Sequence, residues 1–127
     1  MTRKALQPIE VLVLAGYGVP EDTADMYYDF DAGQLRFIPS DMKGSQFSNV
    51  TWSSDALVDI LVGSDEEYVS FSHFSDKFWI CRWTRIGDGV KENISKMAPS
   101  KVQAAYEVLL QLLKDGFIDY GLHERRI

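Results

Sequence analysis

The segment from residue 99 to residue 115 carries apolar residues at the spacing of an amphipathic α-helix, and this pattern most restricts the possible folds. Its apolar positions are Val102, Ala105, Tyr106, Leu109, Leu110 and Leu113, which fall on one helical face. Pro99 suits the first position of a helix and Gly116 the position just after its end. Such a helix must bury its apolar stripe, so the chain must supply a surface for it.

The stretch "MYYDFDAGQLRFIP", residues 26–39, predicts a first antiparallel hairpin with a two-residue turn at Ala-Gly. This register places Phe30 opposite Leu35 on one face and Asp29 opposite Arg36 on the other. Apolar pairs on one side and opposite charges on the other favour it.

A second hairpin is predicted from residue 67 to residue 86, with a two-residue turn at Ser-Asp. Its register pairs Phe71 with Ile80 on one face and Ser70 with Cys81 on the other. Trp79 and Trp83 would share the face of Cys81, because side chains alternate along a strand.

Together these segments predict one α+β domain spanning residues 1–127, since no repeat or flexible linker divides the chain. The continuous apolar run "IEVLVLA", residues 9–15, adds a buried strand. A short helix is predicted after Ser53 or Ser54, either of which can cap it, and it ends near Gly63. The prediction is an antiparallel sheet of about five strands built from two hairpins, with the short helix and the long C-terminal helix on one face and residues 121–127 as a loose tail.

The charge of the chain is unevenly distributed. The net charge is −6, but residues 1–67 carry a balance of −8 and residues 68–127 a balance of +2. A negative protein disfavours nucleic-acid phosphates and anionic membranes as partners. A single cysteine and the lack of any apolar run long enough to cross a bilayer favour a cytoplasmic location.

The residues with catalytic potential do not form a recognisable site in the sequence. Ser70 and Ser72 point away from His73 on an alternating strand, and in the predicted register His73 also faces away from Cys81. Two histidines and one cysteine match no zinc spacing, and the "DFDAG" stretch fails the calcium-loop pattern at three positions. We therefore assign no catalytic residue, metal or cofactor, and an enzyme is the less favoured interpretation.

The acidic segment "EDTADMYYDFD", residues 21–31, is the most unusual part of the sequence. Carboxylates beside tyrosine rings form a surface that can attract and bind lysine and arginine. The candidate partner-binding residues are Glu21, Asp22, Asp25, Tyr27, Asp29 and Asp31, with Asp65, Glu66 and Glu67 as an extension if the fold brings them close. The alternative is an exposed edge hairpin whose charges only prevent aggregation.

The resulting hypothesis is a small protein-binding module that acts on a basic or nucleic-acid-processing partner, in the manner of an inhibitor, immunity protein, antitoxin or secretion chaperone. A different hypothesis is a small-molecule-binding domain or small enzyme, with an aromatic pocket between sheet and helix lined by Tyr68, Trp79, Trp83 and Cys81. A purely structural subunit is a third. The sequence does not define the partner or the oligomeric state.

Overall fold

A computed structural model describes residues 3–121 as an α+β domain with three helices and two three-stranded antiparallel sheets. The helices are α1 (Pro8–Gly16), α2 (Ser54–Leu61) and α3 (Lys101–Asp115). The strands are β1 (Met26–Asp29), β2 (Gln34–Phe37), β3 (Val50–Thr51), β4 (Glu67–Phe74), β5 (Phe78–Gly87) and β6 (Val90–Ala98). The sheet orders are β2-β1-β3 and β4-β5-β6, so the predicted single sheet of about five strands is wrong in detail, whereas the α+β class is confirmed.

The apolar run at residues 9–15 forms part of helix α1, so the prediction that it is a strand is wrong. Pro8 occupies the first turn of α1, where its missing N–H costs nothing. Glu10 accepts a hydrogen bond from the backbone N–H of Gln7 at 2.8 Å and pairs with Arg3. These features of a helix N-terminus outweigh the strand preference of the valines, which periodicity alone could not decide.

The first hairpin lies where it was predicted, but its register differs by two residues. Tyr28 pairs with Leu35 and Asp29 with Gln34, which leaves a four-residue loop in place of the predicted two-residue turn. The Asp29 carboxylate accepts the Ala32 N–H at 3.1 Å and stabilises this wider loop. A shift of two residues keeps each side chain on its predicted face.

The second hairpin differs by one residue, which exchanges its faces. Phe74 pairs with Phe78 around a three-residue loop, so Cys81 lies opposite Phe71, not Ser70. Strand β6 continues this sheet beyond β5, after a two-residue Asp-Gly turn in which both residues have positive φ. The sequence interpretation did not include β6, although Asp-Gly is a strong hairpin signal.

The core lies between the inner face of the β4–β6 sheet and helices α2 and α3, and it extends to Leu14 of α1 and to Val50 and Trp52 at β3. Of the two serines predicted to cap α2, Ser53 does so, because its side chain accepts a hydrogen bond from the Ala56 N–H. Leu109 of α3 is fully buried, as are Cys81 and Trp83 of β5. The Trp83 indole donates to the carbonyl of Leu61 at 3.0 Å, which joins α2 to the sheet.

No helix in the described part of the chain is long and apolar enough to cross a membrane. Of the predicted tail, residues 121–127, all but Gly121 lie outside the described residues.

Candidate functional site

A surface hollow of about 400 Å³ lies between residues 27–31, which belong to the predicted acidic segment, and residues 46–49. Strand β3 pairs with β1 over only two positions, and residues 46–49 before it line the hollow across from β1. Its wall on the β1 side includes Tyr27, Asp29 and Asp31, and its opposite wall includes Phe47 and Ser48. We call this feature the acidic hollow.

Aromatic rings and carboxylates meet in the acidic hollow. The rings of Tyr27 and Phe47 pack with their centroids 4.6 Å apart. Asp29 forms an ion pair with Arg36 at 2.9 Å, so the predicted contact between these residues is confirmed despite the changed register. The Ala32 N–H and the Arg36 guanidinium lower the pKa of the Asp29 carboxyl, which stays ionised at neutral pH. The exposed Asp31 side chain adds a second negative charge at the rim.

Two of the predicted binding acids have structural roles. Asp25 is half-buried, and its carboxylate accepts hydrogen bonds from both the backbone N–H, at 2.9 Å, and the hydroxyl of Ser53. The start of α2 therefore engages the carboxylate of Asp25, and its predicted role in partner binding stays a prediction. Asp22 is exposed and accepts the Ser45 N–H at 2.8 Å. Hydrogen bonds from the hydroxyl and the N–H of Ser45 lower the pKa of Asp22.

The contact between Asp22 and Ser45 belongs to a close packing of two short 3-10 helices, Glu21–Thr23 and Gly44–Gln46. A Cβ atom at Gly44 would lie 1.9 Å from the carbonyl oxygen of Glu21, so only glycine fits there. Gln46, at the end of the second helix, lines the acidic hollow. This packing therefore places the backbone of Glu21 and Asp22 against the 3-10 helix whose last residue, Gln46, lines the hollow.

The acids at residues 65–67 lie at the start of the other sheet. Glu67 begins β4, pairs with Arg85 across the strands and accepts the Gly63 N–H at 2.8 Å. Glu66 lines a different hollow together with Arg85 and Glu92. Residues 65–67 therefore do not line the acidic hollow.

An apolar groove of about 260 Å³ adjoins the acidic hollow and was not predicted. It is lined by Pro8, Val11 and Leu12 of α1 and by Tyr28, Phe30, Asn49 and Val50. Tyr28, Phe30 and Asn49 line both features, so the two adjoin at this end of β1. The groove was not predicted because residues 9–15 were assigned to a strand. The proline and glutamate at the start of α1 could have indicated a helix there.

The environment of Cys81 disfavours nucleophilic chemistry. His73 shares the face of Cys81, contrary to the predicted register, but it lies opposite Trp79, and its ring centroid is 3.6 Å from that of Trp79. Burial raises the pKa of the Cys81 thiol to about 12, so it carries almost no thiolate at neutral pH. The prediction that Ser70 and Ser72 point away from His73 is confirmed by strand alternation.

The predicted aromatic pocket between sheet and helix does not form as described. Cys81 and Trp83 are fully buried in the core, whereas Tyr68 lies on the opposite face of the sheet. That outer face, which we call the open face, carries a hollow of about 360 Å³ lined by Tyr68, Arg82, Lys91 and several small polar side chains. None of the β4–β6 residues that alternate onto the open face is acidic.

Comparison of the chain with protein-family models, with curated proteins and with solved structures found no match. Among residues 3–121, no group of three or more His, Cys, Asp or Glu side chains is arranged to hold a metal ion.

Proposed function

We propose that this protein is a small binding module that docks a basic segment of a partner protein in the acidic hollow. The observation that carries the proposal is that the exposed Asp31 carboxylate lies on one concave surface with the Tyr27 and Phe47 rings and the Asp29–Arg36 ion pair. Carboxylates bind guanidinium and ammonium groups through charge-assisted hydrogen bonds, and aromatic ring faces attract the same cations.

The wider charge distribution supports the same partner chemistry. The backbone of Glu21 and Asp22 packs against the 3-10 helix whose last residue lines the hollow, and residues 1–67 carry a balance of −8. The negative electrostatic potential of such a surface speeds and orients the approach of a basic partner. Inhibitors, immunity proteins, antitoxins and secretion chaperones are the classes of small protein that we expect to work in this way.

The test begins with affinity purification from the cells that make the protein, followed by association kinetics with the partner that is recovered. The variant Glu21→Gln/Asp31→Asn removes two exposed charges and leaves the Asp22, Asp25 and Asp29 contacts intact. We expect its association rate to fall several-fold at low salt, and the difference to shrink at high salt as the charges are screened.

Asp76→Asn/Asp88→Asn is the matched control, because it removes two exposed charges from turns of the other sheet. If both double variants associate like the wild type at low salt, the acids serve solubility alone and the proposal is wrong. If both slow association equally, the effect comes from total charge and not from the acidic hollow.

The open face supports a second candidate function, the binding of a small anionic molecule. Arg82, held by a 3.2 Å hydrogen bond to Ser95, and Lys91 supply positive charge, and the Tyr68 ring beside them is half exposed. Calorimetric titration with inorganic phosphate and with small dicarboxylates tests it. Binding that Arg82→Gln abolishes would favour this candidate, and no heat with either class of anion would reject it.

A further inference from the structure

Helix α1 is apolar on nearly every side, yet much of its surface is in contact with solvent. Its sequence is PIEVLVLAG, and its one charged residue, Glu10, is paired with Arg3. Leu14 is buried, whereas Ile9 and Leu12 are 71% and 70% exposed. A helix that is apolar all round is normally covered on all sides, so this exposed side lacks a covering element among the described residues.

The exposed side of α1 continues into the apolar groove and reaches the acidic hollow. Phe30, in the loop after β1, is 71% exposed and stacks on Tyr28 with the ring centroids 6.1 Å apart. The Tyr28 hydroxyl donates to the Leu6 carbonyl at 2.8 Å, which holds the Tyr28 side of the groove against the segment before α1. Ile9, Leu12 and Phe30 thus add exposed apolar surface around the groove, which shares lining residues with the acidic hollow, and apolar patches of this kind mark interaction sites.

We infer that the partner segment is amphipathic, with apolar side chains that fill the groove beside α1 and a flanking lysine or arginine side chain that reaches the exposed Asp31. This inference rests on the proposed function and names the chemistry of the partner. A nucleic acid or an anionic lipid surface would meet the acids with like charge. A symmetric pair of these chains would bring two copies of the acidic hollow together, which like-charge repulsion disfavours.

The probe is a fluorescent peptide of about 14 residues, roughly four helical turns, built from leucine and lysine in an amphipathic helical pattern. A second peptide has the same composition in scrambled order. Fluorescence anisotropy measures the affinity of each peptide for the wild type and for the folded variants, with circular dichroism as the check on folding. The variants are Ile9→Ser/Leu12→Ser, Phe30→Ser and Glu21→Gln/Asp31→Asn, and Val90→Ser/Met97→Ser is the control at two exposed apolar positions of the other sheet.

We expect the patterned peptide to bind at least about tenfold more tightly than the scrambled peptide, a difference typical of a few well-buried apolar side chains. Ile9→Ser/Leu12→Ser and Phe30→Ser should each remove most of that preference, and Val90→Ser/Met97→Ser should leave it unchanged. Because Phe30 lies in a loop, its variant provides an independent reading if the α1 variant fails to fold.

The outcomes separate this inference from the proposed function. If Glu21→Gln/Asp31→Asn weakens both peptides while the apolar variants bind like the wild type, a basic partner remains supported and the amphipathic inference is overturned. If the acid variant binds both peptides like the wild type, the proposed function fails. A concentration-dependent mass in sedimentation that Leu12→Ser abolishes would show that a second copy covers the groove, which also overturns the inference.

Discussion

The two sheets of this protein are stabilised in different ways. Strand β5 pairs with β4 over eight positions and with β6 over nine, and α3 covers the inner face of this sheet. Strand β1 pairs with β2 over four positions and with β3 over two. Side chains supplement the first sheet, because Tyr28 and Thr51 both donate to the Leu6 carbonyl and Asp25 binds Ser53.

The acids of residues 21–31 fall into two groups, according to whether their carboxylates accept hydrogen bonds within the protein. Asp22, Asp25 and Asp29 accept hydrogen bonds that position the backbone or a neighbouring side chain. Glu21 and Asp31 are exposed and are the acids best placed to meet a partner. The net charge of the segment therefore overstates the number of carboxylates that can bind, and mutations should distinguish the two groups.

The largest effect is expected in the region stabilised by burial. Leu109→Ala should lower the free energy of unfolding by about 2–5 kcal/mol, because the buried leucine leaves a cavity between α3 and the sheet. Urea unfolding measures it, with the exposed Lys114→Ala as the control, for which we expect a change within about 0.5 kcal/mol. Equal effects of the two variants would contradict the packing described for α3.

A smaller loss is expected in the region that depends on side-chain hydrogen bonds. Asp25→Ala should lower the free energy of unfolding by about 1–3 kcal/mol, because it leaves the N–H of Ser53 without its acceptor. Asp31→Ala, at an exposed position in the same region, should change it by less than about 0.5 kcal/mol. A neutral Asp25→Ala variant would show that the acids of this region form a single exposed group after all.

The thiol of Cys81 tests whether the inner face of the β4–β6 sheet is closed. With its pKa raised to about 12 by burial, the thiol should resist alkylation by iodoacetamide at pH 8 and react after unfolding. Mass spectrometry of the alkylated protein gives the modified fraction. Cys81→Ser should lower stability by about 1 kcal/mol and leave partner binding within a few-fold, because a buried hydroxyl replaces the thiol. Rapid alkylation of the folded protein would contradict this burial.

The smallest effect concerns acid stability. The pKa of Asp29 is lowered in the folded protein, so its contribution to stability is present above the ordinary aspartate pKa near 4 and is lost as the pH falls through the lower, folded value. Asp29→Asn should therefore flatten the decline in melting temperature between about pH 5 and pH 2 slightly. Arg36→Gln should produce part of the same flattening, because it removes one of the two main causes of the shift. A decline identical to that of the wild type in both variants would contradict the ion pair.

The two hairpins show how far the sequence could predict the fold. Alternation located both, but the turn chemistry set the registers. In the first, the Asp29 side chain favours a wider loop and the error of two residues preserved the faces. In the second hairpin, Ser75 adopts a positive φ within a three-residue loop. The predicted register was wrong by one residue, so it placed the side chains of one strand on the wrong face relative to the other. That error is why His73 was predicted on the wrong side of Cys81.

The candidate site was only partly predictable for a related reason. The acidic segment was recognisable from its composition, and its ion pair to Arg36 was predicted correctly. The wall of the hollow opposite β1 depends on the pairing of β3 with β1, which local patterns do not encode. The groove depends on the helical state of α1, which the apolar run alone does not show and which Pro8 and Glu10 indicate. The role of Asp25 depends on Ser53, 28 residues further along the chain.

The central claim is that the acidic hollow and its adjoining groove, and not the open face, receive the partner segment. The most direct measurement is a ¹H–¹⁵N NMR titration of the protein with the patterned leucine–lysine peptide at low and high salt. We predict shift changes concentrated at residues 28–31, at residues 47–49 and in α1, with weaker binding at high salt. Shift changes concentrated on the open face of the β4–β6 sheet, or no changes at all, would contradict the claim.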